Sequence, residues 1–432
     1  MTRGPHGGSA TGADPAGDIR PLRLVLLGAA IGIPAALAAA LFFALVHELQ
    51  HRLWTDLPAA LGYEAPPWFL VVGLPVVGAA LVVLARAALP GDGGASPLRG
   101  LEGGPVPLVN APGIVLAALG TLCFGAVLGP EMPVIALGSV VGTTIAGWGR
   151  AGSRGSAVLA AAGSFSAISA LFGGPLVAGM LLVESGLAAG SRLLRILLPG
   201  LVAAAIGYTI FVGIGSWGGI DEAPLRIGDL PAYEGTSVVD LAAGLVIGVA
   251  SAIAILAIRS GATLIQGRAG RFGMPAMLLA GGLAVGILAV TAGALGADPQ
   301  DVLFSGQASI PALVTGMSTS VLLVLLVAKG IGYAVSLGSG FRGGPIFPAI
   351  FMGVAIASVG VAIGGLSPTL AVATGAAAGM AAQTRLLFSP LLLAALLVGP
   401  TGADAMPAAV LAAVSAWVLV DRFGPAQPAD AG

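Results

Sequence analysis

Charged residues are scarce in this sequence. Only 9% of the 432 residues are charged while 57% are hydrophobic, against roughly 25% charged residues in soluble globular chains. So few charges cannot solvate a soluble surface, which excludes soluble enzymes and disordered proteins. Lys and Arg (18) nearly balance Asp and Glu (19), so there is no basic surface for nucleic acid. The composition predicts a helical membrane protein with room for on the order of a dozen crossings.

Cysteine and histidine are also scarce. Cys123 is the single cysteine, which excludes an internal disulfide and argues against a metal–thiolate cluster. Two of the three histidines lie in residues 47–51, His-Glu-Leu-Gln-His, the pattern of zinc hydrolases. A catalytic zinc needs a third protein ligand, and none stands out. We interpret the segment as the interfacial end of a spanning helix. An intramembrane zinc protease built on these residues is an alternative.

Long apolar runs fill the rest of the chain. The first, Leu22 to Val46, is long enough to span with tilt. Three arginines lie before the run or at its start, namely Arg3, Arg20 and Arg23, and the acidic residues Asp56 and Glu64 follow it. By the positive-inside rule this predicts an N-terminus in the cytoplasm. Several later runs are too short for a full crossing. With 69 Gly and 30 Pro, they predict helices that start and stop inside the bilayer.

A polar stretch near the midpoint divides the apolar runs into two groups of similar number, which suggests an internal duplication. We therefore predict five parts. They are a disordered cytoplasmic tail over 1–19, a first membrane half over 20–215, a central linker over 216–236, a second membrane half over 237–422, and a C-terminal tail over 423–432.

Three Gly/Pro-rich segments interrupt the apolar runs: 91–97 (GDGGASP), 129–133 (GPEMP) and 338–348 (GSGFRGGPIFP). In the second and third, a glycine-containing turn and a proline lead into an apolar helix, a favourable place for proline. Helix starts present free N–H groups and the positive end of the helix dipole. Inside a membrane they can form an anion site without a fully charged side chain. We predict that the three segments converge near the bilayer midplane with helix N-termini facing one another.

Glu131 is an ionisable residue at one of these helix starts, with apolar sequence on both sides. Such a residue is costly inside a membrane and indicates function. Its carboxylate could occupy the N–H groups that would bind a permeating anion, and protonation would remove it. The alternative is a carboxylate that only caps the helix.

These segments resemble the CLC family of chloride channels and chloride/proton antiporters. GPEMP is similar to the family's glycine-x-Glu-x-Pro segment, whose glutamate is the gate. Lys329 followed by GIGYAVSLGSG and GGPIFPAIFMG resembles the family's Lys-to-GSG-to-GG-Phe-Pro stretch. Pro175 followed nine residues later by Glu184 matches a third family helix. The order agrees from about residue 22 to residue 420.

The resemblance implies an all-α polytopic membrane protein of two inverted-topology halves, with tilted and partly half-spanning helices. It implies transport of small inorganic anions through a glutamate-gated pore, and transport of protons as well if the protein is an antiporter. It also implies a homodimer in the plasma membrane that needs no cofactor. Channel and proton-coupled antiporter both stay open.

The resemblance also implies the site residues. Glu131 would be the gate, and Glu184 is a candidate for the proton path, although a structural role fits it as well. The anion ligands would be Gly93, Gly94, Ser96, Ile346 and Phe347. The supporting helix-start residues would be Gly129, Pro130, Pro133, Gly343, Gly344 and Pro348.

The sequence departs from the family at four places. Residues 343–348 read GG-Pro-Ile-Phe-Pro where the family has GG-x-Phe-x-Pro. GDGGASP stands where the family has Gly-Ser-Gly-Ile-Pro, so the central serine is absent or displaced to Ser96. No tyrosine follows Tyr333, so the family's C-terminal pore tyrosine is missing. Ser185 stands at the antiporters' internal glutamate, which leans towards a channel or an uncoupled pore. A cation or metal transporter using intramembrane carboxylates is the alternative function, although the apolar segments offer few acids for a cation cage.

Overall fold

The computed structural model describes residues 21–100, 104–185, 193–218, 227–228 and 230–425. The predicted N-terminal tail, part of the predicted central linker and most of the predicted C-terminal tail lie outside these residues. Within them the chain is helical, and its only extended pairing is an isolated bridge between Gly129 and Gly344.

The described residues of the first half form eight α-helices: α1 Pro21–His51, α2 Leu57–Ala60, α3 Trp68–Ala88, α4 Ala111–Leu122, α5 Glu131–Trp148, α6 Gly152–Leu171, α7 Pro175–Glu184 and α8 Leu193–Gly218. A π-helical turn, Arg52–Asp56, joins α1 to α2. Helix α8 continues to Gly218, so the first residues of the predicted linker, 216–218, belong to this helix.

Between residues 230 and 425, the second half forms ten α-helices: α9 Val238–Gly267, α10 Ala269–Phe272, α11 Met274–Ala294, α12 Pro299–Val302, α13 Ile310–Thr315, α14 Thr319–Ser339, α15 Ile346–Ala362, α16 Pro368–Thr384, α17 Phe388–Val398 and α18 Met406–Phe423. A capping box starts α9, in which the Ser237 and Asp240 side chains each bond the other's backbone N–H. This arrangement satisfies two N–H groups that a helix start leaves free.

Seven helical stretches of the described chain are long and apolar enough to cross a membrane, and five further apolar stretches have only 10–17 residues. Large apolar side chains point outward along the long helices, including Leu41 on α1 and Val246 on α9. Such exposed apolar surface suits contact with lipid. The predicted mixture of spanning and half-spanning helices is confirmed.

Helix α4 ends at Leu122, and the carbonyls of Leu122 and Cys123 accept hydrogen bonds from Gln50 Nε2 (2.8 Å) and Trp54 Nε1 (2.9 Å). One local prediction was wrong. The Gly-rich segment 91–97 starts no α-helix among the described residues. A single 3₁₀ turn, Pro97–Arg99, follows it.

Glycine contacts let corresponding helix pairs cross closely in the two halves. A Cβ on Gly138 of α5 would lie 2.7 Å from the backbone carbon of Gly163 of α6, and one on Gly353 of α15 would lie 2.9 Å from the backbone nitrogen of Gly379 of α16. Real Cβ atoms do not approach backbone this closely, so only glycine permits these crossings.

The starts of α5 and α15 are joined directly. Gly129 N donates to Gly344 O over 2.7 Å, and Gly344 N donates to Gly129 O over 2.5 Å. The two strands of this bridge are antiparallel. Each glycine begins the same pattern, Gly-Pro-x-x-Pro followed by a second glycine five residues after the second proline. The two stretches read GPEMPVIALG and GPIFPAIFMG. The bridge therefore pairs equivalent positions of the two halves.

Candidate functional site

Glu131 is the first residue of α5 and its side chain is fully buried. Pro130 precedes the helix and Pro133 lies in its first turn, where a proline removes no intrahelical hydrogen bond. In α15, Pro345 and Pro348 occupy the equivalent places.

The Glu131 carboxylate lies against the N-terminus of α15. Its Oε1 accepts a hydrogen bond of 2.7 Å from the backbone N–H of Phe347. The N–H groups of Ile346 and of Glu131 itself also face the carboxylate. Oε2 is buried and has no hydrogen-bond partner among the described residues. The two predicted backbone ligands, Ile346 and Phe347, are therefore brought together with the predicted gate.

The bridge glycines make room for this carboxylate. A Cβ added to Gly344 would collide with Glu131 Oε2, and one added to Gly129 would lie 2.7 Å from its carboxyl carbon. The Phe347 ring stacks on Phe172, with centroids 5.6 Å apart and planes 13° apart. The carboxylate thus lies in a pocket that is lined by backbone atoms and the two glycines. Its hydrogen-bond donor there is a backbone N–H at a helix start.

A cavity of about 240 Å³ adjoins the Glu131 helix start. Gly93 and Gly94 of the first segment, Met132 and Pro133 of the second, and Gly343 of the third all line it. Ser96 is not among its lining residues. The three segments therefore meet in space. The second and third segments start α5 and α15, whereas the first starts no α-helix among the described residues; Asn110, the residue before α4, also lines the cavity.

The first segment has an unusual backbone. Residues 91 to 94 have φ values of 87°, 48°, 69° and 97°, a left-handed region that favours glycine. Asp92 is the non-glycine member, and Arg86 Nε donates to its Oδ1 over 2.8 Å. Arg342 Nε donates to the Asp92 carbonyl over 3.0 Å, and Arg342 Nη2 donates to its Oδ2. Sequence reasoning missed this cluster because Arg342 and Asp92 are far apart in the chain.

Tyr333 was also missed as a neighbour of the site. It is fully buried in α14, and its hydroxyl donates to the Pro345 carbonyl over 2.6 Å. This tyrosine therefore reaches the start of α15 from a different element than the one the family resemblance indicates. A tyrosine inside an apolar helix needs a hydrogen-bond partner when buried, and that requirement was the available signal.

Lys329 lies outside the site, although it is fully buried. Its Nζ donates to the carbonyls of Asp301 and Leu303 over 2.8 Å each, and it lies 4.4 Å from the centroid of the Phe351 ring. The ammonium group therefore neutralises the carbonyls that end α12.

Glu184 ends α7 and binds the start of α17. Its Oε1 accepts from the N–H groups of Leu387 (3.0 Å) and Phe388 (2.8 Å). Its Oε2 accepts from the Ser389 N–H (2.7 Å) and hydroxyl (2.6 Å). These four hydrogen bonds make Glu184 the cap of α17.

The His-Glu-Leu-Gln-His segment forms the exposed end of α1. Glu48 pairs with Arg52 over 2.5 Å, and His51 lies 3.4 Å from Asp56. In the described part of the chain, no group of three or more metal-binding side chains is present.

Many apolar helices, paired helix starts within the protein and a buried carboxylate on their N–H groups define a membrane transport protein for anions. Residues 86–420 match the family model described as voltage gated chloride channel. The chain therefore belongs to the CLC family, whose members are channels and transporters. Transport of small inorganic anions is the function that follows from this membership.

Relatives and solved structures agree with this assignment. The chain is 30% identical over 353 residues, 78% of each chain, to the ion-transport protein YfeO of Escherichia coli strain SMS-3-5 and to YfeO of Escherichia fergusonii. Its fold is similar to a slow cyanobacterial Cl⁻/H⁺ antiporter, with a TM-score of 0.79, 16% identity and coverage of 94% of this chain and 96% of the other. A CLC-type fluoride/proton antiporter gives 0.73, 22% identity and coverage of 93% and 96%.

Proposed function

We propose that this protein moves small inorganic anions along a pathway that the Glu131 carboxylate closes. The observation that carries the proposal is the hydrogen bond of 2.7 Å from the Phe347 N–H to the buried Glu131 Oε1. That donor is the group that an anion at the start of α15 would use. A bound carboxylate and a bound anion therefore exclude each other.

Protonation is the step that frees the site in this proposal. A neutral carboxyl accepts hydrogen bonds less strongly than a carboxylate, and it no longer repels an approaching anion. Acid then favours movement of Glu131 away from the N–H groups. The proton that neutralises Glu131 can be returned to the same side, as in a channel, or delivered to the other side, as in an antiporter.

Anion efflux from proteoliposomes, with and without a proton gradient, tests the proposal. We expect efflux of chloride, fluoride or nitrate that increases as the pH falls. Uphill proton movement driven by an anion gradient identifies exchange, and anion flux without it identifies a channel. Absence of anion flux, with flux of a metal cation instead, would support the cation transporter.

We propose that Glu184 is structural rather than part of a proton path. All four of its contacts described above satisfy the start of α17, an arrangement that stabilises a helix through its dipole and its free N–H groups. A proton acceptor in transit would have to leave these partners.

We propose a homodimer in the plasma membrane, with the N-terminus in the cytoplasm and one pathway in each subunit. The arginines at positions 3, 20 and 23 precede the first span, which supports this orientation. The membrane halves are proposed to cover 20–215 and 237–422. Cross-linking in membranes tests the dimer.

A further inference from the structure

Arg342 brings a buried positive charge to the cavity beside Glu131. Its side chain is only 7% exposed, and it lines the cavity together with Gly343. Gly344, the next residue along the chain, makes room for the Glu131 carboxylate, and Met132, the residue after Glu131, lines the cavity. Arg342 is therefore two residues from the glycine that contacts the gate, and the cavity that it lines extends to the residue next to the gate.

Asp92 is the carboxylate that Arg342 now holds, and the two partners differ sharply in exposure. The Asp92 side chain is 58% exposed, whereas those of Arg342 and Arg86 are 7% and 15% exposed. Asp92 can therefore turn into water with little change in its hydration. Arg342 cannot, and a buried guanidinium without a counter-ion is strongly unfavourable.

Among the residues that the structure describes, the charges of this cluster do not cancel. Two guanidinium groups, Arg86 and Arg342, face one carboxylate, and Arg86 binds both oxygens of Asp92 at 2.8 and 3.1 Å. Arg86 also donates to the Gly340 carbonyl over 3.0 Å, so Asp92 could stay near Arg86 while Arg342 takes another anion. A guanidinium presents several N–H donors to an anion.

We propose that the cavity holds a second small inorganic anion, bound by the Arg342 guanidinium, and that Asp92 is the internal carboxylate which this anion displaces. Glu131 and Asp92 then act in the same way at neighbouring positions, each occupying donors that the transported anion needs. This inference rests on the proposed function, because it assigns a further ligand to the same anion pathway.

The test is the anion concentration that gives half-maximal flux in proteoliposomes, with chloride, fluoride and nitrate as the probes. Asp92→Asn removes the competitor and should lower this concentration about tenfold, the effect of one hydrogen bond to a charged group. Arg342→Gln removes the ligand and should raise it about tenfold. Opposite shifts are the signature, because a purely structural ion pair predicts impairment by both substitutions.

Two exposed residues away from the cavity give matched controls: Asp56→Asn and Arg271→Gln. Each removes the same charge and should leave the half-saturating concentration unchanged. If Arg342→Gln is recovered only as aggregate, Arg342→Lys replaces it, and a raised concentration is again expected because the planar fork is lost.

The two proposals fail in different ways. Shifts of the same sign in the Asp92 and Arg342 variants, or values equal to those of the controls, overturn the cavity site while anion flux itself persists. Absence of chloride, fluoride and nitrate flux in every protein, the parent included, overturns the proposed function.

Discussion

At the residue scale, the central feature is competition between a carboxylate and a transported anion for the same donors. Glu131 has no solvent contact, and its Oε1 accepts a hydrogen bond from a helix-start N–H. Its Oε2 has no partner among the described residues. An ionised carboxylate in such a place is stable only while these N–H groups compensate for its lost hydration, so removing its charge should release it.

The first prediction concerns Glu131→Gln. The amide keeps the shape of the side chain and lacks the charge, so it should reproduce the protonated state at neutral pH. Anion efflux at neutral pH should rise to the level that the parent reaches in acid, and most of the pH dependence should disappear. The measurement is anion efflux from proteoliposomes across a pH series.

Glu48→Gln is the matched control, because Glu48 is an exposed glutamate paired with Arg52. It should keep the parent's pH profile. If Glu131→Gln also keeps that profile, Glu131 is a helix cap and the gate lies elsewhere.

The second prediction concerns Glu184→Gln. The amide nitrogen cannot accept the N–H and hydroxyl of Ser389 that Oε2 accepts. Loss of charge-assisted hydrogen bonds at a helix start should lower the free energy of unfolding by about 2 kcal/mol. Thermal unfolding of the purified protein in detergent measures this loss.

A proton-path role for Glu184 predicts a different result. In that case Glu184→Gln would abolish anion-driven proton movement and leave thermal stability near that of the parent. We expect lower stability, with the number of protons moved per anion unchanged.

At the element scale, the helix pairs that carry the site depend on glycine contacts. α5 begins at Glu131 and crosses α6 at Gly138 and Gly163, where backbone meets backbone. α15 crosses α16 in the same manner at Gly353 and Gly379. Close packing of this kind tolerates little added volume, so it holds both helix starts in place.

The third prediction compares two alanine substitutions within α5. Gly138→Ala places a methyl group against the backbone of Gly163 and should destabilise the protein by about 1–3 kcal/mol. Gly147→Ala meets no atom within 4 Å and should stabilise the helix by about 0.5–1 kcal/mol. Thermal unfolding of both variants in detergent should therefore shift in opposite directions. Equal shifts would contradict the close crossing.

At the scale of the whole molecule, the two halves meet at the bridge between Gly129 and Gly344, with antiparallel chain directions. Inverted halves place corresponding loops on opposite sides of the membrane. The connection between α1 and α3 contains Glu64, and the connection between α9 and α11 contains Arg271, in the short helix α10. Both residues are exposed.

The fourth prediction uses these two positions. Cys123 is the single cysteine, so Cys123→Ser provides a background without thiols. In that background, Glu64→Cys should react with an impermeant maleimide in intact cells, and Arg271→Cys should react only after permeabilisation. Labelling of both positions from the same side would mean that the halves are parallel.

The sequence by itself determined the class of protein, the approximate helices and the gate candidate. Apolar runs and helix-start signals are local, because lipid contact and free N–H groups act on consecutive residues. For that reason the helix start at Glu131 was predicted, and α5 begins at this residue. The repeated Gly-Pro-x-x-Pro pattern at 129 and 344 was also readable.

Only the tertiary structure decided which of these segments touch. The bridge from Gly129 to Gly344, the ion pair of Asp92 with Arg342 and the approach of Tyr333 to Pro345 join residues whose partners no local pattern names. It also decided that Glu184 and Lys329 bind the free ends of helices. A buried polar group must find a partner inside the protein, and close packing of the two halves selects which one it finds.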